Sequence, residues 1–243
     1  MRMLTFSKRC ARDILRDPLN LAFGLGFPVV LLVLLSAMQK NIPNDMFAIE
    51  HLTPGVCVFG LSFITLFAAT LVARDRESAL LQRLYTTPLT SVDFIVGYML
   101  PLIPISLMQG AVSYGLALCL GLDFGVNIIL AVLMIAPISI LYISLGLLFG
   151  SVLTVKQVGG VCGGLLTNLS AWLSGIWFDI SLVGGAFEKM GKMLPFYHAV
   201  ELERAILKGD FSGSLAHLVI VAIYAVIVTL GASLLFLRQM KKQ

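Results

Sequence analysis

Leu52-Thr-Pro-Gly-Val-Cys-Val-Phe-Gly-Leu-Ser-Phe-Ile-Thr-Leu-Phe-Ala-Ala-Thr-Leu-Val-Ala73 contains no charged side chain and runs straight into Arg74-Asp75-Arg76-Glu77. A hydrocarbon core needs roughly 20 apolar residues of helix, and a charge at its centre costs about 2.5–3.5 kcal/mol on insertion scales. The stretch meets the length and avoids the cost, so it reads as a membrane span ending on a charged loop. Five more runs behave the same way: 19–38, 94–122, 125–150, 158–178 and 215–237. All 17 basic and 13 acidic residues of the chain lie outside these six runs. The expected fold is therefore an all-α integral membrane protein with six transmembrane helices in a single domain over 1–243. The third and fourth runs are long enough to tilt, to kink at Pro101, Pro104 and Pro137, or to protrude.

Composition agrees, with 58% hydrophobic and 12% charged residues against about 25% charged in soluble domains. A water-soluble core protein is excluded. The net charge of +4 has meaning here through its placement, not its sum. Five basic residues precede the first run (Arg2, Lys8, Arg9, Arg12, Arg16), three lie in 74–93, one in 151–157 and three after 237. The alternate segments 39–51, 123–124 and 179–214 hold one, none and four. Twelve against five puts both termini in the cytoplasm and 179–214 outside. The basic start resembles a secretory signal in order, but the run is long for an h-region and lacks a good cleavage pattern near Ser36-Ala37.

Local patterns add detail. Met3, Phe6, Cys10 and Ile14 recur at helical spacing, which predicts an amphipathic helix over 1–18 lying in the cytoplasmic interface. Over 75–88, Asp75 is placed to cap a short helix whose apolar face is Leu80, Leu81, Leu84 and Tyr85, closed by Thr87-Pro88. An apolar face on a cytoplasmic loop needs a protein surface or lipid to cover it. Thr90-Ser-Val-Asp93 has capping-box spacing and restarts the chain as the third span. Within 179–214, Leu182, Val183, Ala186, Phe187, Met190 and Leu194 repeat every three to four residues. Pro195 separates that stretch from a second short helix, about Phe196 to Lys208, in which Glu201 and Arg204 can pair. Such a segment is too short and charged to span, but fits an outer re-entrant hairpin. Gly159, Gly160, Gly163 and Gly164 form two overlapping small-xxx-small pairs and Gly146 and Gly150 a third, marking helix packing, a subunit interface or a hinge.

Enzyme signatures are missing. His51, His198 and His217 have no metal-ligand spacing, Ser174-Gly175 lacks a nucleophile-elbow setting, and no catalytic or metal-binding residue is assigned. Gly185-Ala-Phe-Glu-Lys-Met-Gly191-Lys192-Met193 departs from a phosphate loop in spacing and in its last residue. The spans carry no Asp, Glu, Lys or Arg, which argues against an internal proton or sodium relay and for an external energy source. Cys10, Cys57, Cys119 and Cys162 suggest no disulfide framework.

The loop Asp75-Arg-Glu-Ser-Ala-Leu-Leu-Gln-Arg-Leu-Tyr-Thr-Thr-Pro-Leu89 resembles the acidic-Arg-Glu-x-Gly-Thr-Leu-Glu-x-Leu-x-x-Thr-Pro loop of type-2 ABC transporter permeases. Leu173-Ser-Gly-Ile-Trp-Phe178 with Leu194-Pro-Phe-Tyr-His-Ala-Val-Glu-Leu-Glu-Arg204 and Gly209 resembles that family's fifth-span end and outer segment. Asp179 stands where the family usually has proline, Ala79-Leu80 where it has Gly-Thr, and Gln82 where it has Glu. The resemblance covers nearly the whole chain. It implies a membrane subunit of a small bacterial exporter in the plasma membrane, without enzymatic activity of its own, working in efflux as a dimer of permeases. ATP and magnesium are then bound by a separate cytoplasmic ATPase subunit. It further implies that Arg76, Glu77, Leu80, Leu81, Leu84, Tyr85, Thr87 and Pro88 couple to that ATPase. Trp177, Phe178, Leu194, Pro195 and Phe196 become an outer gate. The residues alone leave a secondary transporter or channel open as the alternative, and an intramembrane enzyme or structural protein as a third.

Overall fold

In a computed structural model of the chain, the run 52–73 lies inside a helix longer than itself. The structure describes residues 2–41, 48–78 and 90–241. In chain order the helices are α1 (Arg2–Leu15), α2 (Pro18–Leu21), a π segment (Ala22–Gly26), α3 (Phe27–Asn41), α4 (Ile49–Glu77), α5 (Ser91–Cys119) and α6 (Val126–Val152). Then follow α7 (Val155–Val158), a π segment (Gly159–Leu166), α8 (Thr167–Leu173), a 3₁₀ turn (Ile180–Leu182), α9 (Gly185–Met193), α10 (Pro195–Lys208) and α11 (Phe211–Lys241). The described residues contain no strand.

Five helices are long and apolar enough to cross a membrane: Ala22–Gln39, Ile49–Glu77, Val92–Cys119, Val126–Val152 and Phe211–Arg238. The expected six thus become five by this measure. The exception is 158–178, which is helical only as far as Leu173, passes through a π stretch over its glycines, and draws Lys156, Gln157 and Asn168 into the same helical path. α4 is the central element, with 78% of its most apolar window buried, against 28% for the first helix and 17% for the last. The outer faces of those two present leucines, valines and isoleucines outward, as a lipid-facing surface does.

α4 and α6 approach closely because Gly146 and Gly150 face α4. A Cβ on Gly146 would lie 2.5 Å from the Thr65 carbonyl oxygen, and one on Gly150 2.5 Å from that of Ala69. The Thr65 hydroxyl donates to the Tyr142 carbonyl at 2.8 Å across the same contact. Buried hydroxyl pairs join Ser62 to Ser170 at 2.9 Å and Ser144 to Thr229 at 2.7 Å, the kind of interhelical bond worth about 0.6 kcal/mol in a bundle. Gly150→Val must push backbone from backbone, and overpacking of this sort costs about 1–3 kcal/mol. Its thermal midpoint in detergent should fall clearly below wild type. Gly115→Ala, whose Cβ meets nothing within 4 Å, should show no such loss.

One local expectation holds at the next level. Thr90 and Asp93 form the capping box that opens α5, the Thr90 N–H donating to Asp93 Oδ2 at 2.8 Å. α5 and α6 then run as continuous helices through Pro101, Pro104 and Pro137. α1 departs from expectation. Phe6, Cys10 and Ile14 are buried, with the Phe6 ring 5.5 Å from Phe94 and 4.9 Å from Tyr98 on α5. Its apolar stripe covers protein.

Candidate functional site

The last turn of α4 places four consecutive charged residues at the end of the bundle that carries α1, and each binds elsewhere. Arg74 donates to Asp17 at 3.3 Å. Asp75, 4% exposed in its side chain, accepts both terminal nitrogens of Arg9 at 2.6 Å and the Tyr98 hydroxyl at 2.8 Å. The Arg76 guanidinium donates to the carbonyls of Ser151 and Leu153, the latter at 2.5 Å. Glu77 accepts the Val155 N–H at 2.9 Å. The root of the 78–90 loop is thereby stapled to α1, to α5 and to the turn between α6 and α7.

That arrangement corrects one expectation and sharpens two. Asp75 does not cap a separate helix: it sits inside α4 and holds α1 with a bidentate pair, a strong charge-assisted geometry. Arg76 and Glu77 are used within the chain, joining the end of α4 to the turn between α6 and α7. Leu80, Leu81, Leu84, Tyr85, Thr87 and Pro88, the rest of the expected coupling helix, lie outside the described residues. Between α1 and the end of α4 opens a cleft of about 730 Å³, lined by Arg9, Asp13, Arg16, Asp17, Arg74 and Glu77 among others. Burial pushes the Cys10 thiol of α1 up to about 12.

At the opposite end, α9 and α10 fold back over the bundle. Pro195 is the first residue of α10, where its missing N–H costs nothing, and Gly209 ends the helix at φ +79. The expected pair forms, Arg204 Nη1 donating to Glu201 Oε1 at 2.8 Å. Arg204 Nη2 adds the Gly175 carbonyl at 3.0 Å and His51 Nδ1 at 3.3 Å. Asp179 caps the 3₁₀ turn by accepting the Ser181 N–H at 2.9 Å, which holds its carboxyl below the ordinary value. The five residues assigned to an outer gate do not form one cluster. Trp177 packs on Phe59 at 6.0 Å, Phe178 on Trp172 at 5.7 Å and on Phe187 at 6.1 Å, and Phe196 on Tyr142 at 5.8 Å. Leu194 packs at the edge of the core and Pro195 is buried.

His198 and His217 form a pair the sequence spacing hid. Their Nδ1 atoms are 2.8 Å apart, and His198 Nε2 is 2.9 Å from the Lys192 carbonyl. A carbonyl only accepts, so His198 carries its proton on Nε2 and the His217 Nδ1–H donates to it. Burial pushes His198 below its ordinary value. Among the described residues no three His, Cys, Asp or Glu side chains are grouped to hold a metal.

For the glycines at 159–164 the expectation is helix packing, a subunit interface or a hinge. A Cβ on Gly159, Gly160 or Gly164 would meet nothing within 4 Å, and one on Gly163 makes only ordinary contact with Leu66. Among the described residues no close backbone approach is made at these glycines. Nearby, Leu165, Leu169 and Trp172 are exposed.

A bundle of apolar helices, crosslinked at one end by a charged loop root and covered at the other by a short helical hairpin, defines a multi-pass membrane protein. The model of the family described as ABC-2 type transporter matches residues 2–208. The chain belongs to that family and is a transporter membrane component. It is also similar to Nodulation protein J of Sinorhizobium fredii (strain NBRC 101917 / NGR234), 26% identical over 216 residues that cover 87% of this chain and 79% of that protein.

Proposed function

We propose that the chain is the permease subunit of an ATP-driven exporter of the bacterial plasma membrane. It forms the translocation path with a second permease and is driven by a separate cytoplasmic ATPase subunit that binds ATP and magnesium. The observation that carries this reading is the stapled loop root. Force applied to the loop at 78–90 is transmitted by Asp75 to α1 and α5, and by Arg76 and Glu77 to the 151–155 turn. A loop merely connecting two spans needs none of these bonds.

In this reading 75–88 is the coupling element, Leu80, Leu81, Leu84 and Tyr85 its docking face, and the charged cleft beside α1 the flank on which the ATPase rests. The sixth crossing is 155–173, whose 19 residues of helix reach about 28 Å. Six crossings keep the basic segments before α2 and after α11 on one side, whereas five would split them against the positive-inside rule. Gly159, Gly160, Gly163 and Gly164 with Trp172 form the face that meets the second permease, since nothing among the described residues fills the space above most of them. Residues 179–214 are the outer re-entrant segment. Leu182, Val183, Met190 and Met193 are exposed on it, and lipid or the partner permease covers them. Trp177, Phe178, Leu194, Pro195 and Phe196 brace this segment as the outer gate.

Topology tests the reading. Single cysteines at Ser181 and Ser212 in a cysteine-free background should react with an impermeant thiol reagent on intact cells, and one at Gln243 should react only after permeabilisation. Equal labelling at all three positions, or the reverse pattern, would contradict it.

A further inference from the structure

Glu203 is the one carboxylate that α10 turns into the bundle, with 0% exposure. The Tyr114 hydroxyl of α5 donates to its Oε2 at 2.8 Å, and its Oε1 has no partner among the described residues. A further buried polar atom without a partner among the described residues, Gln109 Oε1, lies on the same stretch of α5, where Ser113 hydrogen-bonds Cys57. Gln109 is tied by its Nε2 to the Cys57 carbonyl of α4 at 3.2 Å, and Cys57 itself lies close enough to Glu203 to feel its charge. Two orphaned oxygens, Glu203 Oε1 and Gln109 Oε1, thus flank Cys57 of α4.

Among the described residues no cation pairs with Glu203. Arg204, its neighbour, points elsewhere, to Glu201, Gly175 and His51. From α4 the titratable neighbours are Cys57, at the site, and His51, on Arg204; from α5 there is only Tyr114. α6 offers Tyr142, which packs on Phe196. α11 offers His217, paired with His198, and Tyr224, which donates to the Met193 carbonyl. α8 has no titratable side chain, and on α9 Lys192 pairs with Glu188. A buried carboxylate without a cation keeps its proton.

We propose that Glu203 is a proton-binding site whose occupancy is tied to the seating of α10: the carboxyl is neutral while α10 is packed on α4, α6 and α11 with Tyr114 of α5 on Glu203, and ionises when the segment lifts. The O–H bond breaks on lifting, the electron pair stays on the carboxylate, and the proton passes to water on the side that α10 faces. That this side is the cell exterior rests on the topology proposed above. Burial pushes Glu203 up to about 8, while the Tyr114 hydrogen bond, which favours the ionised form, pulls the other way. In the lifted state the group returns to the ordinary carboxylate value. Between those two values the seated state binds one more proton than the lifted state, so seating weakens as pH rises, about tenfold per pH unit, and stops changing above about pH 8.

The test uses the full-length chain in lipid nanodiscs. Infrared spectra of wild type at pH 7 should contain a protonated-carboxyl band that Glu203→Gln removes and that titrates away with a midpoint near pH 8; Tyr114→Phe should move that midpoint upward. Hydrogen exchange of the α10 amides, corrected for intrinsic rates, should show an opening equilibrium that grows from pH 5.5 to 7.5 in wild type and stays flat in Glu203→Gln. Absence of the band at pH 7, or its persistence in Glu203→Gln, would overturn the proton site. Equal pH dependence of exchange in the two proteins would overturn its link to seating. Neither readout involves an ATPase or transport, so failure here would leave the permease reading standing, and failure of that reading would leave these results unchanged.

Discussion

Asp75→Ala is expected to loosen α1 from the bundle and to disconnect the loop at 78–90 from it. The carboxylate is nearly fully buried while Arg9 keeps 37% of its side chain exposed. The loss therefore falls below the range of about 3–5 kcal/mol for breaking a fully buried pair, at about 2–4 kcal/mol once the orphaned Tyr98 hydroxyl is included. Arg9 retains Asp13 at 2.8 Å, so the helix itself survives. What is lost is its attachment. Limited proteolysis in nanodiscs should cut within 1–18 much faster in Asp75→Ala than in wild type, and ATP hydrolysis by the assembled transporter should lose its response to substrate. Unchanged protection of α1 would show that Phe6 and Ile14 hold it without the ion pair.

Leu84→Asp is expected to have the largest functional effect. Burying one leucine of the loop's apolar face in a partner groove is worth roughly 1.5–3 kcal/mol. The substitution removes that and buries a carboxylate in its place, at a further cost of several kcal/mol. Together these exceed what a modest interface can absorb, since about 1.4 kcal/mol is already tenfold in affinity. The change lies between two spans, so insertion and folding should be normal. Purified with its ATPase, first in detergent and then in nanodiscs, Leu84→Asp should elute as free permease with hydrolysis uncoupled from substrate.

Much of the fold was legible because the membrane imposes a coarse rule. Charge-free runs of helical length located all five apolar helices, and the Thr90–Asp93 box, the Pro195 start of α10 and the Glu201–Arg204 pair were legible because their partners are three residues apart or fewer. The Gly146–Gly150 contact was legible as a small-residue pair, but Gly159–Gly163 carries the same pattern and makes no close approach among the described residues. The pattern states that a helix can be approached, not by what. The site was least legible where partners are distant in sequence. Asp75 reads as a helix cap because capping is a local role, and nothing local points to Arg9, 66 residues away. Glu203 reads as one acid of the 179–214 segment; only the packing of α10 on α4, α6 and α11 buries it, although polar Gln109, Ser113 and Tyr114 within a mostly apolar span were a signal that something polar meets them. The amphipathic stripe of α1 predicted burial correctly and its cover wrongly, since periodicity does not distinguish lipid from Phe94 and Tyr98.

The most direct measurement places a photo-crosslinking amino acid at Leu84 in the full-length chain, expressed with its cognate ATPase, and irradiates intact membranes. The coupling role of 75–88 predicts a crosslink to the ATPase at position 84, absent when the same probe is placed at Ser181 and weakened when Asp75→Ala is combined with it. A crosslink at 84 only to lipid or to the permease itself, with the ATPase fully bound, would contradict it.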